Sequence, residues 1–152
     1  MKGPLVIVAC GKSKIWDKQK RAGSTRAEEV YVGAPFKVNK EYAKRFGQRW
    51  LILSAKYGYI NPAFKISRAY NVTFKNLKTK PVSTAILQRQ VKTKRLDRYK
   101  TVIGLGGWDY RETIKASFAE SGARLHFPTN NLPLWKAMQR VKKITLEGKP
   151  LG

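Results

Sequence analysis

Three apolar runs in this sequence each pass directly into a short polar or glycine-containing turn. The runs and their turns are Leu5–Ala9 with Cys10–Lys14, Trp50–Leu53 with Ser54–Tyr57, and Thr101–Ile103 with Gly104–Gly107. Apolar runs without polar alternation are typical of strands covered on both faces, as in a parallel sheet under helices. Since ligands bind outside the carboxyl ends of such strands, the pattern predicts that the three turns line one concave surface.

Helical periodicity fills the segments between these runs. It predicts a short helix within 24–31 and longer helices over 36–46, 82–96, 109–122 and 130–144, with Asp109 as the cap of the fourth. A fourth strand is predicted over 124–128. The alternation predicts one α/β domain over 1–152, a three-layer arrangement in which a mostly parallel sheet of about four strands carries helices on both faces.

Three stretches lack a clear period. Residues 15–26 are basic, and we predict that they form a mobile loop that contacts a nucleic-acid backbone. Residues 61–81 predict a long loop over the site, with a short β-like piece at Tyr70 to Phe74. The tail 145–152 contains Gly and Pro and is predicted to fray.

The chain is strongly basic, with 32 Lys and Arg against nine Asp and Glu and a formal net charge of +23. A small domain needs only about 2 to 8 charges for solubility, so the excess predicts a polyanion partner, DNA or RNA. No membrane and no obligate protein partner is implied, since a basic amphipathic helix with a broad aromatic face is missing. A cationic ridge predicted to contact phosphates comprises Arg89, Lys92, Lys94, Arg95, Arg98 and Lys100.

The rest of the composition limits the kinds of catalytic or metal site that the chain can form. One cysteine, Cys10, and one histidine, His126, cannot form a Cys/His zinc site, and we expect neither a metal nor another cofactor. Segment 10–14 lacks P-loop spacing, which excludes a nucleoside triphosphatase, although its amides and lysines can hold a phosphate. The single cysteine and the absence of a signal peptide or long apolar segment predict a cytoplasmic protein.

Five short motifs occur in a characteristic order: Cys10–Lys14, Ala27–Tyr31 with Phe36, Leu53–Gly58, Ala69–Asn71 and Gly106–Arg111. In this order they resemble small bacterial, archaeal and phage domains that are distantly similar to the YaaA peroxide-stress proteins. The resemblance implies a uracil-DNA-glycosylase-like α/β fold and a link to DNA damage or base modification, without supplying a reaction. The chain departs from the family pattern at Asn71, where an acidic residue is common, and at 130–133.

The pattern as a whole favours an enzyme that acts at a base or N-glycosidic bond in DNA, like a glycosylase or glycosylase/lyase. Such chemistry needs a base pocket, phosphate contacts, and an amine or a carboxylate at the sugar. We predict a partly buried Lys56 as the amine and Glu29 as the carboxylate, with Ser54 and Asn71 also catalytic. The residues predicted to bind the base are Cys10, Gly11, Tyr31, Tyr57, Tyr70, Gly106, Gly107 and Tyr110, and those predicted to contact the backbone beside the ridge are Lys12, Lys14 and Arg111.

Two alternatives remain open. One is a non-catalytic DNA- or RNA-binding protein of damage response or base modification, which the scarcity of acidic residues near the predicted site favours. The other is an enzyme that processes a small nucleotide or nucleoside, which explains the glycine turns but not the charge of +23.

Overall fold

Residues 3–148 are described by the computed structural model, which places five strands in one mixed sheet. The described residues form seven strands in all: β1 (Leu5–Ala9), β2 (Thr25–Arg26), β3 (Arg49–Ser54), β4 (Gly58–Ile60), β5 (Lys65–Ile66), β6 (Thr101–Leu105) and β7 (Arg124–His126). The main sheet has the order β4-β3-β1-β6-β7, and only β4 runs antiparallel to its neighbour. Strands β2 and β5 form a separate antiparallel pair. The predicted α/β class with a mostly parallel sheet is confirmed.

The helices are α1 (Ala27–Val30), α2 (Ala34–Phe46), α3 (Thr84–Thr93), α4 (Trp108–Ser117) and α5 (Leu134–Glu147). Two separate apolar clusters join them to the sheet. Val6 and Val8 of β1 belong to the cluster that contains residues of α2 and α5, whereas Leu5 and Ile7 belong to the cluster that contains residues of α3 and α4. Each such buried side chain contributes about 1.5–3 kcal/mol. Because both faces of β1 need an apolar cover, its sequence shows no alternation.

The helix ends differ from the predicted ones for local reasons. Helix α3 is shorter than predicted and begins after Ser83, whose side chain accepts a hydrogen bond from the Ile86 amide at 3.2 Å. Asp109 does not cap α4; the helix begins one residue earlier, and Gly107 occupies the cap position. Helix α5 continues to Glu147, so fraying from residue 145 is wrong, and residues 149–152 lie outside the described part of the chain.

Strand β4 is the strand of the main sheet that the sequence pattern missed. Gly58 has φ 78°, a left-handed conformation that glycine adopts without strain, and it lets the chain reverse directly from β3 into β4. Gln90 of α3 holds this reversal by accepting from the Tyr59 amide at 2.8 Å and donating to the Tyr57 carbonyl at 3.1 Å. A three-residue strand is too short to show a period, so the prediction of about four strands is one short of the observed sheet.

The predicted loops contain more local structure than expected. Trp16 is buried and its indole N–H donates to the Ala22 carbonyl at 2.6 Å, which folds segment 15–26 back on itself. In segment 61–81 the strand is β5, and the predicted β-like piece at 70–74 is reduced to a single bridge between Thr73 and Asn76. The segment ends where the Val82 amide donates to the Ala55 carbonyl at 2.8 Å. Within residues 3–148, no helix combines the length and apolar character needed to cross a bilayer.

Candidate functional site

Parallel pairing brings the carboxyl ends of β1, β3 and β6 to the same edge of the sheet. Ala9 lies opposite Leu53, Val8 lies opposite Leu105, and the Cys10 amide donates to the Leu53 carbonyl at 3.0 Å. A cavity of about 630 Å³ at this edge, the glycine-turn cavity, is lined by residues of the first and third turns, including Gly11, Gly106 and Gly107. The turn after β3 adjoins the first turn through the Cys10 contact, so the three turns lie at one edge of the sheet. None of Ser54–Tyr57 lines this cavity, and the prediction that all three turns line one concave surface is met only by the first and third turns.

Gly106 allows the ends of β1 and β6 to approach each other. A Cβ atom at this position would lie 2.5 Å from the Ala9 Cβ, whereas one at Gly107 would meet no atom within 4 Å. Gly106→Ala is therefore expected to lower the free energy of unfolding by about 1–3 kcal/mol through overpacking. Gly107→Ala, at a φ of −74° that alanine tolerates, should change it by less than about 0.5 kcal/mol. Urea unfolding of both variants measures the difference, and equal effects would contradict this close approach.

A network of hydroxyl groups lies behind the turn that follows β3. Ser54 Oγ accepts from the amides of Lys56 at 3.2 Å and Tyr57 at 3.1 Å, which leaves its own hydrogen for the Tyr70 hydroxyl 3.0 Å away. The Tyr70 hydroxyl is also hydrogen-bonded to that of Tyr31. Burial raises the pKa of both tyrosines above the ordinary value, so both hydroxyls keep their protons. The network fixes Tyr70, which belongs to the 61–81 segment, against the sheet edge.

This network corrects two predicted roles. Tyr31 is 1% exposed and Ser54 is fully buried, so neither side chain is accessible to a nucleobase or sugar. Their predicted direct contact with substrate is wrong, and they position Tyr70 instead. Tyr57 is half-buried and packs edge-on against Tyr70, with ring centroids 5.6 Å apart.

Cys10 is held as a neutral thiol. Its Sγ lies 3.2 Å from the Tyr110 hydroxyl. Burial raises the pKa of the Cys10 thiol, against the opposing effects of the Tyr110 hydrogen bond and of nearby Lys14. Burial also raises the pKa of Tyr110. Because a thiolate is the reactive form of cysteine, Cys10 is arranged to line the site rather than to attack a substrate.

Lys14 is a buried amine at this site, only 9% exposed. Its Nζ donates to the Lys12 carbonyl at 3.2 Å and lies 4.6 Å from the centroid of the Tyr70 ring, while its backbone amide donates to Asp17 at 2.8 Å. Burial lowers the pKa of Lys14, although the nearby Asp17 carboxylate opposes the shift. Lys14 lines a cavity of about 500 Å³, the Lys14 cavity, which shares Cys10 and Tyr110 with the glycine-turn cavity.

Lys56, by contrast, has an exposed side chain. Its Nζ lies 5.3 Å from the Tyr57 ring centroid and 5.5 Å from that of Tyr70. The predicted partial burial of Lys56 is therefore wrong, and Lys14 has the buried environment that was expected for Lys56. Lys14 was predicted to contact a nucleic-acid backbone because its turn is basic. Its surroundings depend on an isolated bridge to Tyr31, which the sequence around Lys14 does not reveal.

The remaining predicted residues lie in different surroundings. Asn71 is exposed and lines the Lys14 cavity, as does Lys12. Arg111 lines the glycine-turn cavity and donates to the Gly106 carbonyl at 3.0 Å. Glu29 is exposed on α1, and among residues 3–148 no hydrogen bond or ion pair joins it to the hydroxyl network. The part of the chain described also holds no group of three His, Cys, Asp or Glu side chains placed to bind a metal.

The cationic ridge lies away from this edge. Helix α3 starts beside the Ala55 carbonyl, at the carboxyl edge of the sheet, and the chain then returns to the amino end of β6. Four ridge residues lie near the C-terminal end of α3 or just after it: Arg89, Lys92, Lys94 and Arg95. Lys94 is the least exposed of the four. A ten-residue helix is about 15 Å long. A polyanion that reaches both the ridge and the cavities must therefore extend along the side of the domain.

Comparison with known proteins gives two matches. A family model described as a family of unknown function (DUF6884) matches residues 5–143. The uncharacterized protein YfjM of Bacillus subtilis (strain 168) is 38% identical over 116 residues, which cover 76% of this chain and 77% of YfjM. No solved structure matches the chain. Neither description names an activity or a ligand.

Proposed function

We propose a function for this chain, which belongs to the family of unknown function DUF6884: it binds nucleic acid and acts at a base or N-glycosidic bond, with Lys14 as the attacking amine. The observation that carries the proposal is a lysine with a lowered pKa, buried beside a cavity that opens at the carboxyl edge of the sheet. A lowered pKa increases the fraction of neutral amine, which is the nucleophilic form.

The proposed reaction is a displacement at C1′ of a nucleotide. The Lys14 nitrogen forms a bond to C1′ while the bond from C1′ to the base breaks, and the base leaves with that electron pair and takes up a proton. The nitrogen then loses one proton, the C1′–O4′ bond breaks with its electron pair going to O4′, and O4′ takes up a proton, which leaves a protonated imine between Lys14 and C1′. Tyr110 keeps its proton because burial raises its pKa, and it lines the Lys14 cavity, where it can donate a hydrogen bond to the departing base.

Charge supports a polymeric substrate. The chain carries +23, and two exposed lysines, Lys12 and Lys75, line both the Lys14 cavity and the glycine-turn cavity. Lysines at a cavity mouth act as phosphate contacts that position a strand without reading its sequence. The resemblance to YaaA-like domains favours DNA that is damaged or modified over other polyanions. A small nucleotide alone does not explain the charge.

The proposal also includes the predicted three-layer arrangement, with the sheet between two layers of helices. The two apolar clusters on alternate residues of β1 support helices on both faces of the sheet. With both faces covered, the carboxyl edge remains as the place where a flipped nucleotide can enter, as in other open α/β sheets. A uracil-DNA-glycosylase-like fold is in keeping with this entry route.

The test is a panel of oligonucleotides that carry abasic sites or single damaged or modified bases, incubated with and without borohydride. We expect at least one substrate to give either base release or a covalent protein-DNA adduct that borohydride makes stable. The same mixtures without borohydride provide the control. If every substrate binds and none reacts, the enzymatic proposal is wrong.

The second candidate is a non-catalytic nucleic-acid binder. It is favoured by the hydrogen bond that already occupies Lys14 Nζ and by the hydroxyl network, which among residues 3–148 contains no carboxylate. This candidate expects salt-dependent binding of DNA or RNA with no adduct and no product on the same panel.

A further inference from the structure

Trp108 is a large aromatic side chain left 65% exposed at a structured cavity. It is the first residue of α4 and directly follows Gly106 and Gly107. It lines the glycine-turn cavity and also a neighbouring cavity of about 470 Å³, the Trp108 cavity. The glycine-turn cavity thus shares lining residues with both the Lys14 cavity and the Trp108 cavity.

The walls of the Trp108 cavity are apolar in part, with Phe74 and the 79% exposed Leu77. Phe74 is fixed edge-on against Tyr110, with ring centroids 5.2 Å apart, so one wall is tied to the Lys14 cavity. Exposed aromatic surface beside a cavity indicates a ligand with a flat apolar face. In a chain of +23, the polyanion with flat apolar groups is a nucleic acid whose bases are unpaired.

Asp109 supplies the polar part of this arrangement. It lines both the glycine-turn cavity and the Trp108 cavity. Nearby Glu112 is paired with Lys115 at 2.9 Å, but no hydrogen bond or ion pair within residues 3–148 engages the Asp109 carboxylate. With 32 cationic residues in the chain, a half-buried carboxylate without a cation is available for a hydrogen-bond donor of a ligand.

We propose that Trp108 and Asp109 form a second nucleobase subsite, which takes an unpaired guanine near the nucleotide bound in the Lys14 cavity. This inference rests on the proposed nucleic-acid substrate and adds a sequence preference to it. Trp108 stacks on the base, and stacking alone is tolerant of sequence. The Asp109 carboxylate accepts from N1–H and the N2 amino group of guanine, two adjacent donors that match its two oxygens. Unpaired thymine offers one such donor, and adenine places an acceptor beside its amino group.

The test measures binding of single-stranded heptamers, dT7 and dT7 with one central dG, dC or dA, at low salt by fluorescence anisotropy. We expect the dG heptamer to bind several-fold more tightly than dT7. Trp108→Ala should weaken binding of the dG heptamer about tenfold, and Trp108→Phe should recover part of the loss. Trp135→Ala is the matched control, because Trp135 is 59% exposed but does not line the glycine-turn cavity, the Lys14 cavity or the Trp108 cavity.

Asp109→Asn separates recognition from stacking. It should remove the preference for dG over dT7 without weakening binding of dT7, since it removes a negative charge from the site. Equal losses in the Trp108 and Trp135 variants, or a guanine preference kept by the Asp109 variant, would overturn the subsite while leaving the proposed function standing. Failure of the parent protein to bind any heptamer or duplex at low salt would remove the nucleic-acid substrate itself, and the subsite with it.

Discussion

Lys14→Ala is expected to abolish the adduct that borohydride traps between the protein and a reactive oligonucleotide, while Lys56→Ala keeps it. Both lysines have Nζ within 5.5 Å of the centroid of the Tyr70 ring, but only Lys14 is buried, and burial lowers its pKa. At a given pH near neutrality a larger fraction of Lys14 is therefore in the neutral, nucleophilic form than for an ordinary lysine. Denaturing gel electrophoresis of the trapped mixtures measures the adduct.

Two further variants make this result specific. Lys14→Arg keeps the charge but should also lose the adduct, because a guanidinium group stays protonated. Lys14→Met keeps most of the buried volume, and its thermal unfolding reports whether the loss of adduct follows from loss of the fold. Trapping by Lys14→Ala at the level of the parent protein would rule out Lys14 as the amine.

DNA affinity is expected to fall steeply with salt. A protein that contacts 6–10 phosphates loses roughly 10³–10⁵ in affinity between 50 and 200 mM salt, because each contact releases condensed counterions. The cationic ridge, with Lys12 and Lys75 at the cavities, supplies enough charged groups for such a number of contacts. Reversal of two ridge charges, Arg89→Glu with Lys92→Glu, should flatten the slope of log K against log salt by about 0.9 for each lost contact.

A second charge reversal shows whether the ridge is specific. Lys142 and Lys143 are exposed on α5, which packs in a different apolar cluster from α3. Lys142→Glu with Lys143→Glu changes the net charge by the same amount and should leave the slope closer to that of the parent. Equal flattening of the slope by both pairs of substitutions would mean that the ridge is not the contact surface. An affinity that does not change with salt concentration would contradict a polyanion partner altogether.

Much of the fold was predictable because its strands are buried on both faces. The uninterrupted apolar residues of β1 and β3 indicate a sheet under helices, and glycines after β6 indicate its open edge. Strand β4 was not predictable in this way. It depends on the left-handed Gly58 and on Gln90, a residue of a helix that follows much later in the chain.

The meeting of the strand ends at one edge was predictable, but the surroundings of the side chains there were not. Lys14 and Lys56 both follow apolar strands in basic turns, so their sequence contexts look alike. What separates them is packing by distant residues: Tyr31 pairs with Lys14 along the backbone, and Tyr70 covers its amine. In the same way, Ser54 resembles a reactive hydroxyl until the tyrosines that bury it are in place. Exposure of a polar side chain depends on such non-local contacts, which a single sequence does not reveal.

The segment from Tyr70 to Val82 is fastened at both ends to the same short turn, since Tyr70 is hydrogen-bonded to Ser54 and the Val82 amide to the Ala55 carbonyl. Between these anchors, its residues contribute to the walls of all three cavities: Asn71, Thr73, Phe74, Lys75, Leu77 and Lys80. Substitutions there change what the cavities admit while the anchors keep the backbone entry and exit in place. Divergence of substrate preference among related chains is therefore expected to concentrate between residues 71 and 81, with Lys14 and the hydroxyl network unchanged.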